Sequence, residues 1–117
     1  MDIRLTTLRA AHELDKVLTD SHDRCVVLFK HSQTCGISAE ALDELRAHID
    51  LAQTNEVHYA MVTVQTHRDV SNAITHRLGI RHETPQAILV RDGRVVWAAS
   101  HFRVNAAELH KALTSSC

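Results

Sequence analysis

The sequence predicts an α/β fold: one four-stranded mixed sheet with helices on both faces, in the order α-βα-βα-ββ-α. Three observations carry this. Short apolar runs of strand length alternate with longer segments whose apolar residues recur at steps of three and four, the spacing of one helix face. Asp92-Gly93, between two apolar runs, is a strong hairpin signal. A cysteine, Cys35, falls where a strand gives way to a helix.

Leu8, Ala11, Leu14, Val17 and Leu18 make an amphipathic first helix, with Thr6 or Thr7 as its cap, and Ser21-His22-Asp23 breaks it. Val26 to Phe29 reads as a buried strand ending near His31. A long helix follows from Cys35 to about Gln53, its inner face formed by Ile37, Ala41, Leu42, Leu45, Ile49 and Ala52. Gln53 to Glu56 is a loop, and His58 to Val64 is a second buried strand. Asp69 is placed to cap a third helix whose inner face holds Val70, Ala73, Ile74 and Leu78; Gly79 closes it, with Ile80 making the hydrophobic contact that follows a left-handed glycine cap. Ala87 to Val90 and Val95 to Ala98 are the arms of the hairpin, and Asn105 with Glu108 makes a capping box for a last helix bearing Leu109, Ala112 and Leu113.

At 117 residues the chain suffices for one domain, 1–117, with a core of Leu, Val, Ile and Ala, since aromatics are only 3%. A net charge of −1 gives no general reason to expect nucleic acid or a membrane surface as partner. Asp2 and Arg4 interrupt the first apolar residues, so no signal peptide is read there, and no apolar run is long enough to span a bilayer. A cytoplasmic protein, monomeric or weakly dimeric, is the expectation. Three scattered cysteines do not suggest a disulfide framework.

The order of elements fixes where the chemistry lies. A right-handed βαβ crossover makes the first two strands parallel. If the third pairs antiparallel to the first, the fourth runs parallel to it again. Cys35, His67-Arg68, Arg81 to Pro85 and Ser100 to Arg103 then converge on one pole, and Cys25 and Cys117 lie toward the other. The free N–H groups at a helix start favour negative charge, which suits an exposed thiolate. A buried structural thiol is the plain alternative for Cys35, but Ser32, Gln33, Thr34 and Ser38 make its surroundings polar. Cys35 and Ser38 form C-x-x-S rather than C-x-x-C, so any exchange rests on one thiol.

Cys35-Gly36-Ile37-Ser38 is similar to the C-G-F-S of monothiol glutaredoxins, and Thr84-Pro85 resembles the cis-proline loop of thioredoxins and glutaredoxins. A closer resemblance is to the YtxJ family of monothiol bacilliredoxins. It is carried by Phe29-Lys-His-Ser-x-x-Cys-x-Ile-Ser38, Arg68-x-Val-Ser-Asn-Ala-Ile74, His82-Glu-x-Pro-Gln86, and Val96-Trp followed by Ser100-His101. Gly36 stands where the family pattern has a proline, and Ser115-Ser116-Cys117 lies outside that pattern. The resemblance covers nearly the whole chain. It implies a thioredoxin-like fold, a cis Thr84-Pro85 bond, and removal of bacillithiol from mixed disulfides on S-thiolated client proteins.

On that reading Cys35 is the nucleophile and Ser38, one turn into the helix, donates a hydrogen bond to the thiolate, although an ordinary first-turn serine would look the same in sequence. Thr84 and Pro85 face an extended client, with Lys30, His31, Thr34, Arg68 and His101 on the substrate side. Arg81, His82 and Arg103 add to a cationic cluster opposed by Glu83 and Asp69, which would attract a carboxylate-bearing small thiol. No cofactor is expected beyond that thiol as co-substrate. Ten histidines, four of them (His31, His67, His82 and His101) at the cysteine pole, keep a Cys/His zinc site open. An iron–sulfur cluster of the monothiol-glutaredoxin kind and a non-catalytic peptide-binding module are the remaining alternatives.

Overall fold

The computed structural model describes residues 4–52 and 56–117. Its elements are β1 (Leu5–Thr7), α1 (Ala11–Asp20), β2 (Cys25–His31), α2 (Gly36–Ala52), β3 (Val57–Thr63), α3 (Arg68–Leu78), β4 (Gln86–Arg91), β5 (Arg94–Ser100), a 3-10 turn at His101–Arg103 and α4 (Ala106–Ser116). The sheet runs β1-β3-β2-β4-β5, with β1, β3 and β2 parallel and β4 antiparallel to both of its neighbours.

It has five strands rather than four. Leu5 to Thr7 pair in register with Tyr59 to Met61, so Thr6 and Thr7 belong to a strand, and α1 starts behind Ala10 without a side-chain cap. Three residues are too few for a period-2 signal, and only the partner strand makes them β. Asp69 lies in the first turn of α3, where its charge suits the helix dipole, but the cap residue is His67. Gly79 is left-handed as expected, at φ 61°, with Ile80 N donating to Thr75 O over 3.3 Å. Asp92 and Gly93 both take positive φ, the requirement of a type I′ hairpin. Asn105 Oδ1 accepts from Glu108 N at 2.9 Å. The loop read at 53–56 lies, apart from Glu56, outside the described residues.

β2 is central and buried on both faces, which is why its sequence is an unbroken apolar run instead of an alternation. Val26 and Leu28 face a core shared with Leu14, Val17, Val70 and Ile74 of α1 and α3. Val27 and Phe29 face the opposite core, with Ala41, Leu45, Ile49 and Leu109 of α2 and α4. Ala11 and Ala52, read as inward, are exposed, each at the end of its helix where the face runs off the sheet. His48 occupies a core position of α2 instead, its Nε2 2.8 Å from the Tyr59 hydroxyl. A polar residue on a helix's apolar stripe needs such a partner, and none is adjacent in sequence.

Cys25 and Cys117 form a disulfide, with Cα atoms 6.2 Å apart and a separation of 92 positions in sequence. The sequence suggests no disulfide framework, yet the two cysteines it places toward the same pole are bonded. The first residue of β2 and the residue capping α4 meet at one pole because α4 returns antiparallel across the face that β2 lines. Cys35 alone is free.

Candidate active site

β2 ends at His31, and residues 32–34 carry the chain to Cys35, whose carbonyl accepts from Ala39 N at 3.1 Å. Cys35 is thus the residue from which α2 starts, among the backbone N–H groups that no helix carbonyl takes up. Its side is half-buried, not enclosed. Gly36 has room for a Cβ, which would meet nothing within 4 Å.

Two sets of hydrogen bonds fix this loop. Ser38, fully buried, accepts from Ser32 N at 2.9 Å and lies 2.8 Å from His31 Nδ1. On the other side Gln65 Nε2 donates to Ser32 Oγ at 2.7 Å, and Gln65 Oε1 accepts from Gln33 N at 3.0 Å. Burial, with the positive charge of Arg46 adding to it, lowers the His31 pKa and keeps the imidazole neutral. If neutral His31 accepts from Ser38, that hydroxyl's single proton is committed away from the thiol; if it donates, the proton is free. The Ser38 hydroxyl therefore ties the strand end to the helix, and any service to Cys35 depends on the His31 tautomer. Gln65 was missed in the sequence. It stands just past β3, and only the parallel register His31↔Thr63 brings it to the loop.

Thr84-Pro85 flanks the loop from the β4 side and its peptide bond is cis. Gln86 pairs with Lys30 of β2 and with Ser100 of β5, and Pro85 O accepts from His101 N at 3.0 Å. His101 takes a left-handed backbone to do this, at φ 56°, a conformation that histidine enters more readily than most residues. The ends of β2 and β3, the start of β4 and the end of β5 thus meet at one pole. Arg68 and His101 are exposed there, as is Thr34, and Thr84 is half-buried.

Lys30 is a correction. It is wholly buried, on the face of β2 that packs toward α3, and its Nζ lies 2.8 Å from Thr75 Oγ1 and 3.0 Å from His82 Nδ1. Strand alternation turns it away from the surface that Cys35 shares. Burial lowers its pKa from 10.5 to about 8. Burial, followed by the charges of Lys30 and Arg68, also lowers the His82 pKa against the opposing Glu83. Because the unfolded chain holds the Lys30 proton more tightly, stability should rise with pH between about 8 and about 10.5 and level off above. Lys30→Met should remove that rise, so urea unfolding of both proteins at either end of this window should show a pH-dependent difference. An equal slope in both would mean that the ammonium is not desolvated.

Among the described residues no group of three or more His, Cys, Asp or Glu is arranged to hold a metal ion. Three of the four histidines of this pole are separately engaged: His31 with Ser38, His67 with Thr66, and His82 with Lys30. Nor is any helix among the described residues long and apolar enough to cross a membrane.

A single free thiol at a strand-to-helix junction, at the same pole of the sheet as a cis-proline that opens an antiparallel strand, defines a thioredoxin-fold thiol redox protein. The chain is similar over 92% of its length, and 92% of the other's, to a protein described as "a putative oxidoreductase with a thioredoxin fold", at 29% identity and a TM-score of 0.82. The thioredoxin of Fasciola hepatica shares the fold at 20% identity and a TM-score of 0.77, covering 96% of this chain and 99% of that one. A poplar thioredoxin h does so at 22% and 0.73, covering 96% and 95%. Residues 6–109 match the family described as monothiol bacilliredoxin BrxC, and the chain belongs to that family.

Proposed function

We propose that this protein removes a low-molecular-weight thiol, such as bacillithiol, from S-thiolated client proteins through Cys35. The observation that carries the reading is the cysteine inventory: one free thiol at the helix start, with Ser38 where a resolving cysteine would stand and the other two cysteines bound to each other. The Cys35 thiolate attacks the small thiol's sulfur in the mixed disulfide, and the client leaves as a thiolate that takes a proton. A second small-thiol thiolate then attacks the new disulfide, releasing the small thiol as its symmetrical disulfide and restoring Cys35. No resident cofactor enters either step. Membership of the family supports the thiol chemistry, and the exposed Arg68, Arg81 and Arg103 at this pole support a small thiol bearing carboxylates. A cytosolic setting belongs to the same proposal, since that is where pools of small thiols are maintained.

The test compares an anionic mixed disulfide (bacillithiol on a client peptide) with a neutral one. Raising ionic strength from about 0.01 M to about 0.1 M shortens the Debye length from about 30 Å to about 10 Å. Stopped-flow rates should fall several-fold for the anionic substrate and change little for the neutral one, and Arg68→Ala with Arg103→Ala should reproduce that selective loss. Equal salt sensitivity for both substrates would refute recognition of a carboxylate-bearing thiol.

A further inference from the structure

We propose that the Cys25–Cys117 bond is a second thiol–disulfide site, independent of Cys35, which is opened by a dithiol reductant and releases the last turn of α4. The two sites cannot exchange with each other inside one molecule. Cys25 begins β2 and Cys35 lies beyond its end, so the strand alone separates them by about 20 Å at ~3.3 Å per residue, against the 6.2 Å between the Cα atoms of the bonded pair.

The two sulfurs sit in unlike places. Cys117 is an exposed residue, whereas Cys25 is buried in the core with Leu5, Val27 and Tyr59. Both line a cleft of about 610 Å³ at this pole, together with Arg24, His48, Tyr59 and Arg91. An attacking thiolate reaches the Cys117 sulfur from that cleft. The S–S bond breaks with its electron pair on the Cys25 sulfur, which leaves as a thiolate and then takes a proton. The reductant's second thiol attacks the mixed disulfide on Cys117. Two electrons have then passed: Cys25 and Cys117 are thiols and the reductant is a disulfide. A dithiol completes this within one encounter.

Both redox states suit the fold. Reduced Cys25 is a small apolar residue in an apolar core, the usual setting of a free cysteine. α4 stays docked by Leu109 and Ala112, which are buried, while Thr114 and Ser115 are exposed and Cys117 is held otherwise by its N–H to Leu113 O at 3.2 Å. Reduction therefore frees the residues from Thr114 onward, which border the cleft, while Leu113 stays packed against the core.

The experiment uses the full chain carrying Cys35→Ser, so that its outcome is separate from any result at Cys35. The oxidised protein is treated with dithiothreitol without denaturant, alkylated, weighed, and followed by hydrogen exchange. Two alkyl groups should be gained, and the amides of residues 114–117 should exchange at least tenfold faster, while those of β2 speed up by no more than the loss of global stability and stay protected. A monothiol should leave its mixed disulfide on Cys117. Reduction that requires denaturant, an adduct on Cys25 in place of Cys117, unchanged exchange in residues 114–117, or loss of all protection in β2 would each overturn the proposal. Cys117→Ser made in the same background should fold and show the fast exchange without reductant; failure to fold would make the bond a structural staple and overturn the proposal as well.

Discussion

Cys35→Ser is expected to reduce thiol exchange with a mixed-disulfide client to the uncatalysed background, while Cys25→Ser leaves it largely intact. Exchange requires a sulfur that attacks sulfur and later departs from it, and a serine oxygen does neither. No other cysteine can substitute. The remaining two are bonded together at the opposite end of β2, and when reduced they lie a strand's length from the loop that Ser38 and Gln65 fix. The measurement is release of the small thiol from a client peptide, followed by mass. Persistent release by Cys35→Ser would end the thiol reading of this pole. Loss of release in Cys25→Ser, with the fold intact, would mean that the two poles are chemically linked.

The second large effect concerns stability. Cys117→Ser removes a cross-link between positions 92 residues apart. Constraint of the unfolded chain by a loop of that length is worth about 4.6 kcal/mol in the chain-entropy account, and measured values for native disulfides are about 2–5 kcal/mol. Urea unfolding of Cys117→Ser, compared with the oxidised protein, should shift to lower denaturant by an amount in that range. The slope should also rise, since an uncross-linked unfolded chain exposes more surface. The same shift should follow from dithiothreitol acting on the unsubstituted chain. A variant as stable as the oxidised protein would mean that its unfolded chain is already compact, or that the two cysteines are not bonded in solution.

Much of this architecture could be read from local chemistry. The βαβ unit, the Asp92-Gly93 hairpin, the Gly79 cap and the Asn105 cap each rest on residues within a few positions of one another, so the sequence displays them directly. The thiol at the strand-to-helix junction was legible for the same reason. What escaped depends on partners distant in the chain. Leu5–Thr7 is a strand only because Tyr59–Met61 lies beside it. Gln65 grips the cysteine loop only through the register of β2 with β3. Lys30 looked like a surface cation because its type normally is one, and it took the pleat of the central strand and the Thr75 and His82 acceptors from α3 and the loop after it to bury it. The Cys25–Cys117 pairing needed the packing of α4, which no spacing encodes.

The ladder between β4 and β5 has one irregularity. Leu89 pairs with Trp97 and Val90 with Val95, so Val96 is an extra residue that no residue opposes. Such a bulge bends its strand and increases the local twist. It divides the hairpin into a stretch that holds Ser100 against Gln86, and so His101 against Pro85, and a stretch that leads to the turn and, through it, to Ser21. The bulge acts as a joint. The tip beyond it is anchored separately, since Asp92 N donates to Ser21 O at 2.8 Å and Gly93 N to Ser21 Oγ at 2.9 Å, so a change of length at Asp92-Gly93 costs bonds to the end of α1 and is separated by the bulge from the residues beside the thiol.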